Sequence, residues 1–166
     1  MANLRDVAID VKEEDLVDPN AVDRDAVPGD HIVVKISGSK MWHHAIYVGK
    51  VQGQRMVVEM TGKDNSKKPI QLLPLKKFGN YLVVQYTSER HNTADALDAC
   101  VDRAMKLFKD ANDNPTKYPY NVICSNCEML AILLRTNTWV HAASLILTRI
   151  LLTACYAPDM EVSKWP

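Results

Sequence analysis

The sequence predicts an α+β domain with an antiparallel sheet of about five strands, followed by helices. Three observations indicate this class. Short β-branched segments separated by turn residues fill residues 30–86, helical periodicity begins only after them, and 166 residues suit one domain with an adequate core. A run of strands before a run of helices is typical of α+β folds. We divide the chain into an acidic lead-in (1–27), the folded domain (28–137) and a hydrophobic C-terminal segment (138–166).

The composition is that of an ordinary globular protein. Hydrophobic residues make up 47% of the chain, charged residues 24%, and the formal net charge is zero, so nothing global indicates a nucleic-acid partner. The charge is unevenly spread, because residues 1–29 carry eight acidic and three basic residues, whereas residues 30–90 carry ten basic and four acidic. The basic middle fits either a solvated face or attraction to an anionic lipid surface.

Residues 1–6 lack the basic segment and the apolar run of a secretory signal. Four cysteines without such a signal predict reduced thiols and a cytoplasmic protein.

The strands are predicted from β-branched runs bounded by turn residues. The turn Pro28-Gly29-Asp30 begins the first one, and Gln52-Gly53-Gln54 predicts a hairpin between the second and the third. A Lys-rich loop follows over 61–69. The predicted strands are 31–37, 44–48, 55–60, 70–73 and 81–86, with one further short strand at 7–11 in the lead-in.

Two helices follow the strands. The first is predicted over 94–111, capped by Asn92 or Thr93, because apolar residues recur there at helical spacing on one face. The second begins within 120–130 and ends at 135–137. Its residues are apolar nearly all round, which predicts a buried central helix.

The first turn of the second helix carries Cys127. Ser125 or Asn126 supplies the short polar side chain that caps such a helix. The backbone N–H groups and the helix dipole stabilise a negative charge at this end, where a cysteine pKa falls from about 8.5 into the range of roughly 3.5–7.5. The same N–H groups suit a developing oxyanion. Cys127 is therefore a candidate nucleophile, although a buried helix cysteine is common.

A thiol nucleophile needs a base and a polar group that orients the base. We assign the base to His43 rather than His44, because side chains alternate along a strand and His44 faces the opposite way. Glu59 is the candidate orienting group, since it is a lone charge in an apolar strand predicted to lie beside His43. The alternative for Glu59 is a solvent-facing residue of an edge strand.

Cys124 and Cys127 also form a Cys-x-x-Cys pair. A redox motif of this kind usually sits in a βαβ unit, which the predicted elements lack. A zinc site needs two further ligands, which only His43 and His44 could supply. We therefore predict no metal and no cofactor.

The segment 140–157 is the most hydrophobic part of the chain, and it is interrupted by polar residues that include Arg149. A spanning helix needs about 20 residues with few charges. The pattern fits a packed core helix, or a segment that lies on or inserts into a membrane.

Several short blocks together resemble the lecithin:retinol acyltransferase and HRAS-like suppressor family. The blocks are Pro28-Gly29-Asp30, His43 through Gly49, Val57-Val58-Glu59, and Tyr120 through Asn126-Cys127-Glu128, so the resemblance covers roughly 28–137. The family consists of circularly permuted papain-like thiol enzymes in which the histidine precedes the cysteine. The resemblance thus implies that fold for this chain.

The resemblance implies a phospholipase A or acyltransferase. Cys127 is then the nucleophile, His43 the base and Glu59 the third polar residue, and an acyl chain passes from a glycerophospholipid to a Cys127 thioester, then to water, an amine or an alcohol. Most members have a hydrophobic C-terminal anchor, which favours association of 140–157 with an intracellular membrane. We expect a phospholipid or membrane surface as partner. The residues that we assign to substrate binding are His44, Tyr47, Tyr120 and Asn126.

Three positions depart from the family pattern. The family usually has a histidine where Glu59 stands, an aromatic residue at the position of His44, and His-Phe at the positions of Met129 and Leu130. Proteins that share the histidine block and the Asn-Cys pair (H-box/NC proteins) also include picornavirus non-structural proteins, in which catalysis is doubtful. The alternative function is therefore a non-catalytic binding or regulatory protein with the same fold.

Overall fold

The computed structural model describes residues 21–38, 41–62, 68–86, 88–120 and 126–138. They form a six-stranded antiparallel sheet with helices, which confirms the predicted α+β class. The strands are β1 (Ala21–Val22), β2 (His31–Lys35), β3 (Trp42–Val51), β4 (Gln54–Met60), β5 (Ile70–Pro74) and β6 (Leu82–Val84), and the helices are α1 (Leu75–Phe78), α2 (Ala94–Asp113) and α3 (Cys127–Thr136). The strand order in the sheet is β1-β6-β2-β3-β4-β5, with every neighbouring pair antiparallel.

The five strands predicted between residues 31 and 86 are all present with shifted ends, and the sixth is β1, which pairs with β6. A strand of two residues, such as β1, is too short to show an alternating pattern in the sequence. The expectation that helices follow only after the last strand is wrong, because α1 lies between β5 and β6. A four-residue helix is likewise too short to show a period of 3.6 residues. The predicted strand at 7–11 lies outside the described residues.

The predicted hairpin joins β3 to β4 through a two-residue turn, since Val51 pairs with Gln54. The turn residues Gln52 and Gly53 have φ values of 51° and 80°. Positive φ at both central residues defines the type I′ turn, whose twist matches that of the flanking strands. The turn therefore fixes which residues face each other from Gly49 and Met56 to the hairpin end, and between Tyr47 and Gly49 the register shifts by one residue.

The two faces of the sheet are covered differently. On one face Ile46 and Val58 pack against α2 and α3. On the other face Tyr47 and Val57 pack with Phe78 of α1. Nine of the ten residues of α3 are buried, which confirms the predicted central helix. No helix in the described ranges is long and apolar enough to cross a membrane, and 140–157 lies outside those ranges.

The predicted turn before β2 brings the chain against the backbone of α2. Gly29 donates its N–H to the Tyr47 carbonyl at 2.7 Å, and its φ is 93°. A Cβ atom at Gly29 would lie 2.4 Å from the carbonyl oxygen of Leu97. The position therefore requires glycine for both its dihedral angle and its space.

We expect Gly29→Ala to lower the free energy of unfolding by about 2–5 kcal/mol, the sum of left-handed backbone strain and a forced shift of α2. The matched control is Gly38→Ala, because Gly38 has a φ of 76° but no heavy atom within 4 Å of the added Cβ. This control should cost only the strain, about 1–2 kcal/mol. Urea denaturation of both variants measures the difference, and equal losses would contradict the packing of Gly29 on α2.

Candidate active site

Cys127 is the first residue of α3, and Asn126 is the N-cap of that helix. The Asn126 Oδ1 atom accepts a hydrogen bond from the Met129 N–H at 3.1 Å. Of the two predicted caps, Asn126 is therefore the one used, while Ser125 lies outside the described residues. The Cys127 side chain is buried at the end of the helix where the dipole favours a negative charge.

His43 is the second residue of β3, and its Nε2 atom lies 2.5 Å from the Oε2 atom of Glu59. Glu59 stands on β4 opposite Ala45, so its carboxylate lies on the same face of the sheet as His43. The Glu59 side chain is 8% exposed and the His43 side chain 22%. Glu59 is therefore not the solvent-facing edge residue of the alternative, since β5 covers β4 on its other side.

The His43 side chain also lies close enough to the Cys127 side chain to interact with it. Burial alone lowers the pKa of His43, but the hydrogen bonds to Cys127 and Glu59, together with the negative charges of both groups, outweigh it and raise the pKa to about 9. The imidazole is therefore protonated at neutral pH. A protonated imidazole carries an N–H at each ring nitrogen.

The structure thus brings together the three residues predicted to carry the chemistry. Cys127, His43 and Glu59 come from α3, β3 and β4, and the imidazole is the group that touches the other two. The imidazole thus lies between a carboxylate and a sulfur. This arrangement is able to hold a nucleophile and to deliver a proton beside it.

Phe78 is a site residue that the sequence analysis missed. Its ring centroid lies 5.5 Å from that of His43, so α1 covers the imidazole with an aromatic side chain. The segment carrying Phe78 is bounded by Pro74 and Gly79, which is the one signal in the sequence for a short separate element. Phe78 keeps water away from one side of the His43 ring and thereby strengthens its polar contacts.

Tyr120 lies close to the thiol. Burial, and then the negative charge of Cys127, raise the pKa of Tyr120. Its ring also occupies the space beside Gly62, where an added Cβ would lie 2.3 Å from the Tyr120 Cδ1 atom. Tyr120 is thus placed to form a wall of a pocket at Cys127, and its assignment to substrate binding stays a prediction.

The other residues assigned to substrate binding have structural partners. His44 is buried on the opposite face from His43, as predicted, and its Nδ1 atom lies 2.9 Å from His31 Nε2. Tyr47 lies about 13 Å along β3 from His43. Its hydroxyl accepts a hydrogen bond from Arg55, whose guanidinium lies 5.1 Å from the centroid of the Tyr47 ring. Asn126 is the helix cap, and the substrate roles of these three residues remain predictions.

Within the part of the chain that the structure describes, no group of three His, Cys, Asp or Glu side chains is placed to hold a metal ion. Cys124, the second thiol of the Cys-x-x-Cys pair, lies outside that part.

Comparison with models of known protein families, with curated proteins and with solved structures gives no match to this chain.

We expect Glu59→Gln to lower the pKa of His43 by about 1–3 units, because the variant removes a negative charge in direct contact with the imidazole. The exposed Glu89, which belongs to the 3-10 turn Glu89–His91, supplies the control Glu89→Gln. NMR titration of the His43 ring protons measures both variants. An unchanged pKa in Glu59→Gln would show that Glu59 does not hold the imidazole.

Two histidines should give stability opposite dependences on pH. The folded-state pKa of His43 is raised from 6.5 to about 9, so its contribution is complete below pH 6.5 and is lost as pH rises to about 9. Burial, and then the charge of Arg135, lower the pKa of His31 from 6.5 to about 3, so the His31 contribution is complete above pH 6.5 and is lost as pH falls.

The contributions of these two histidines to the free energy of unfolding should therefore be complete together near pH 6.5. On either side of that pH we expect the free energy of unfolding to fall by at most about 1.4 kcal/mol per pH unit for each group. Urea unfolding between about pH 4 and pH 9 measures the profile. His43→Gln should flatten the alkaline side and leave the acid side as it is. An alkaline slope that survives in His43→Gln would contradict the assignment.

Proposed function

We propose that this chain is a cysteine-nucleophile phospholipase A and acyltransferase with a circularly permuted papain-like fold. One observation carries the proposal: a single imidazole, that of His43, contacts both the Cys127 thiol and the Glu59 carboxylate. Thiol acyl transfer requires a nucleophile, a proton-transferring group and a group that orients it. These three groups are side by side and largely screened from water.

In the first step the Cys127 thiolate attacks the carbonyl carbon of a glycerophospholipid ester. The negative charge moves to the carbonyl oxygen, and the start of α3 with the Cys127 N–H favours charge at that place. The carbon–oxygen bond to the glycerol then breaks, and the His43 imidazolium gives its proton to the departing alcohol. The products are a lysophospholipid and an acyl-thioester on Cys127.

In the second step His43 acts in the opposite direction. Formation of the thioester removes the negative charge of the thiolate, which is one of the causes of the raised His43 pKa, so that the pKa falls. The neutral imidazole then takes a proton from water, an amine or an alcohol as that acceptor attacks the thioester carbon. The carbon–sulfur bond breaks, the acyl product leaves, and the thiolate–imidazolium pair is restored.

Glu59 replaces the histidine that the family usually has at this position. A carboxylate stabilises the imidazolium by charge as well as by a hydrogen bond, which a neutral histidine does not do. This substitution should favour the first step, in which His43 donates a proton. Glu59 therefore supports the catalytic role of His43 by a different interaction from that of the family.

The remaining parts of the proposal concern the lipid. Phe78 and Tyr120 form aromatic walls near His43 and Cys127, and such walls suit an acyl chain. The basic middle of the chain suits an anionic membrane surface. Membrane association of 140–157 remains a prediction about residues outside the described ranges.

The test is intact-protein mass spectrometry after incubation with a short-chain phosphatidylcholine. We expect an acyl adduct on the wild type and none on Cys127→Ala. The matched control is Cys100→Ala, since the Cys100 side chain is fully buried and burial raises the pKa of its thiol to about 11. The control should acquire the adduct as the wild type does.

If no adduct forms while iodoacetamide still alkylates Cys127, the acyltransferase proposal is wrong. The alternative from the resemblance, a non-catalytic binding or regulatory protein, then becomes the better account.

A further inference from the structure

A second group of buried polar side chains, which the proposed chemistry does not use, lies under α3. We call it the inner cluster, and its members are His31, His44, Tyr86, His91 and Arg135. His31 is completely buried and lies at its centre. Its Nδ1 atom lies 2.9 Å from the Tyr86 hydroxyl, and its Nε2 atom lies 2.9 Å from His44 Nδ1.

The other half of the inner cluster is built on Tyr86. The Arg135 guanidinium lies 5.2 Å from the centroid of the Tyr86 ring, and the His91 ring meets the same ring edge-on at 5.8 Å. Arg135 is 2% exposed and donates hydrogen bonds to the His91 carbonyl and, at 3.1 Å, to Asn92 Oδ1. Asn92 in turn donates to the Tyr86 carbonyl at 2.8 Å. The ring of Tyr86 therefore joins β2 and β3 to the far end of α3.

The inner cluster connects the two elements that carry the candidate site. His44 follows His43 in β3, and Arg135 lies about two turns after Cys127 on α3. Buried polar groups without partners are costly, so a network of this kind permits few arrangements of the elements that it joins. A displacement of α3 along the sheet would move Cys127 away from His43 and Arg135 away from Tyr86 together.

We propose that His31, Tyr86 and Arg135 are positioning residues that hold α3 against β3, so that the Cys127 thiol stays in contact with the His43 imidazole. The inference deepens the proposed function and rests on its pairing of these two side chains.

The protonation state of His31 supports this role. Burial, and then the charge of Arg135, lower the pKa of His31 to about 3, so its imidazole is neutral. A neutral imidazole has one N–H and one acceptor nitrogen. His31 therefore donates to one neighbour and accepts from the other, and the chain from His44 to Tyr86 has a fixed direction. Such a chain holds its members in place without adding charge to the core.

Other charged or titratable groups also act on Arg135. Burial lowers the pKa of Arg135 and Arg103 lowers it further, whereas Tyr86, Cys100 and Asp30 act in the opposite direction. Arg103 itself donates to the Leu134 carbonyl at 2.8 Å and so ties α2 to the same end of α3. The positioning role thus belongs to a buried network and not to one ion pair.

The test compares Tyr86→Phe and Arg135→Lys with wild type. Tyr86→Phe removes the oxygen that bonds His31 and keeps the ring. Arg135→Lys keeps the charge and loses the fork of hydrogen bonds to the 3-10 turn and Asn92. The control is Tyr81→Phe, which removes a hydroxyl bonded to Ala26 and Arg55 on the other face of the sheet. The readouts are the His43 pKa from NMR titration and the rate of Cys127 alkylation by iodoacetamide.

We expect the His43 pKa to fall by about one unit or more in both variants, toward its value in Cys127→Ala, because the contact with the sulfur is loosened. The alkylation rate at Cys127 should change in the same variants, and Tyr81→Phe should leave both readouts as in wild type. If one variant does not fold, the other carries the test, since each breaks the network at a different bond.

Folded variants with a lower melting temperature but an unchanged His43 pKa and alkylation rate would overturn the proposal, because the network would then only stabilise the core. Neither readout requires turnover. If wild type acquires no acyl adduct while the two variants lower the His43 pKa, the proposed function is rejected. The positioning role then still stands.

Discussion

The register between β3 and β4 is the constraint on which the candidate site depends. The type I′ turn at Gln52 and Gly53 and the register shift between Tyr47 and Gly49 together place Ala45 opposite Glu59. Because the side-chain period of a strand is two, a slip of one residue would turn Glu59 to the opposite face of the sheet. The carboxylate would then lie among the apolar side chains that pack on α3, and His43 would lose its acceptor. The turn and the register shift thus determine together the geometry of a site several residues away.

The same constraint explains why three ionisable side chains can be buried together. An isolated buried charge is very costly, whereas opposite charges in direct contact offset much of that cost. The imidazolium of His43 lies between a carboxylate and a sulfur, so burial alone would deprotonate it but its neighbours keep the proton in place. His31 shows the opposite case. It is completely buried beside a cation, and it stays neutral. His43 and His31 lie on adjacent strands and on opposite faces of the sheet, and one is charged and the other neutral.

Much of this architecture could be predicted from the sequence, and the missing parts have physical reasons. Alternation along β3 separated His43 from His44, and the lone charge of Glu59 in an apolar strand indicated its place. Both inferences need only the two-residue period of a strand. Phe78 and the inner cluster could not be found this way, because α1 is too short for periodicity and His31, Tyr86 and Arg135 are far apart in the chain. Long-range contacts between side chains depend on how α3 packs, which no local pattern specifies.

The separation of His43 from His44 also bears on substrate recognition. The His44 side chain bonds His31 under α3. This bond joins β3 to β2 and belongs to the hydrogen-bonded network of the inner cluster, and such buried networks specify the arrangement of the elements that they join. On the proposed function, Phe78 and Tyr120 are the aromatic side chains near the reacting groups, and the substrate role of His44 stays a prediction.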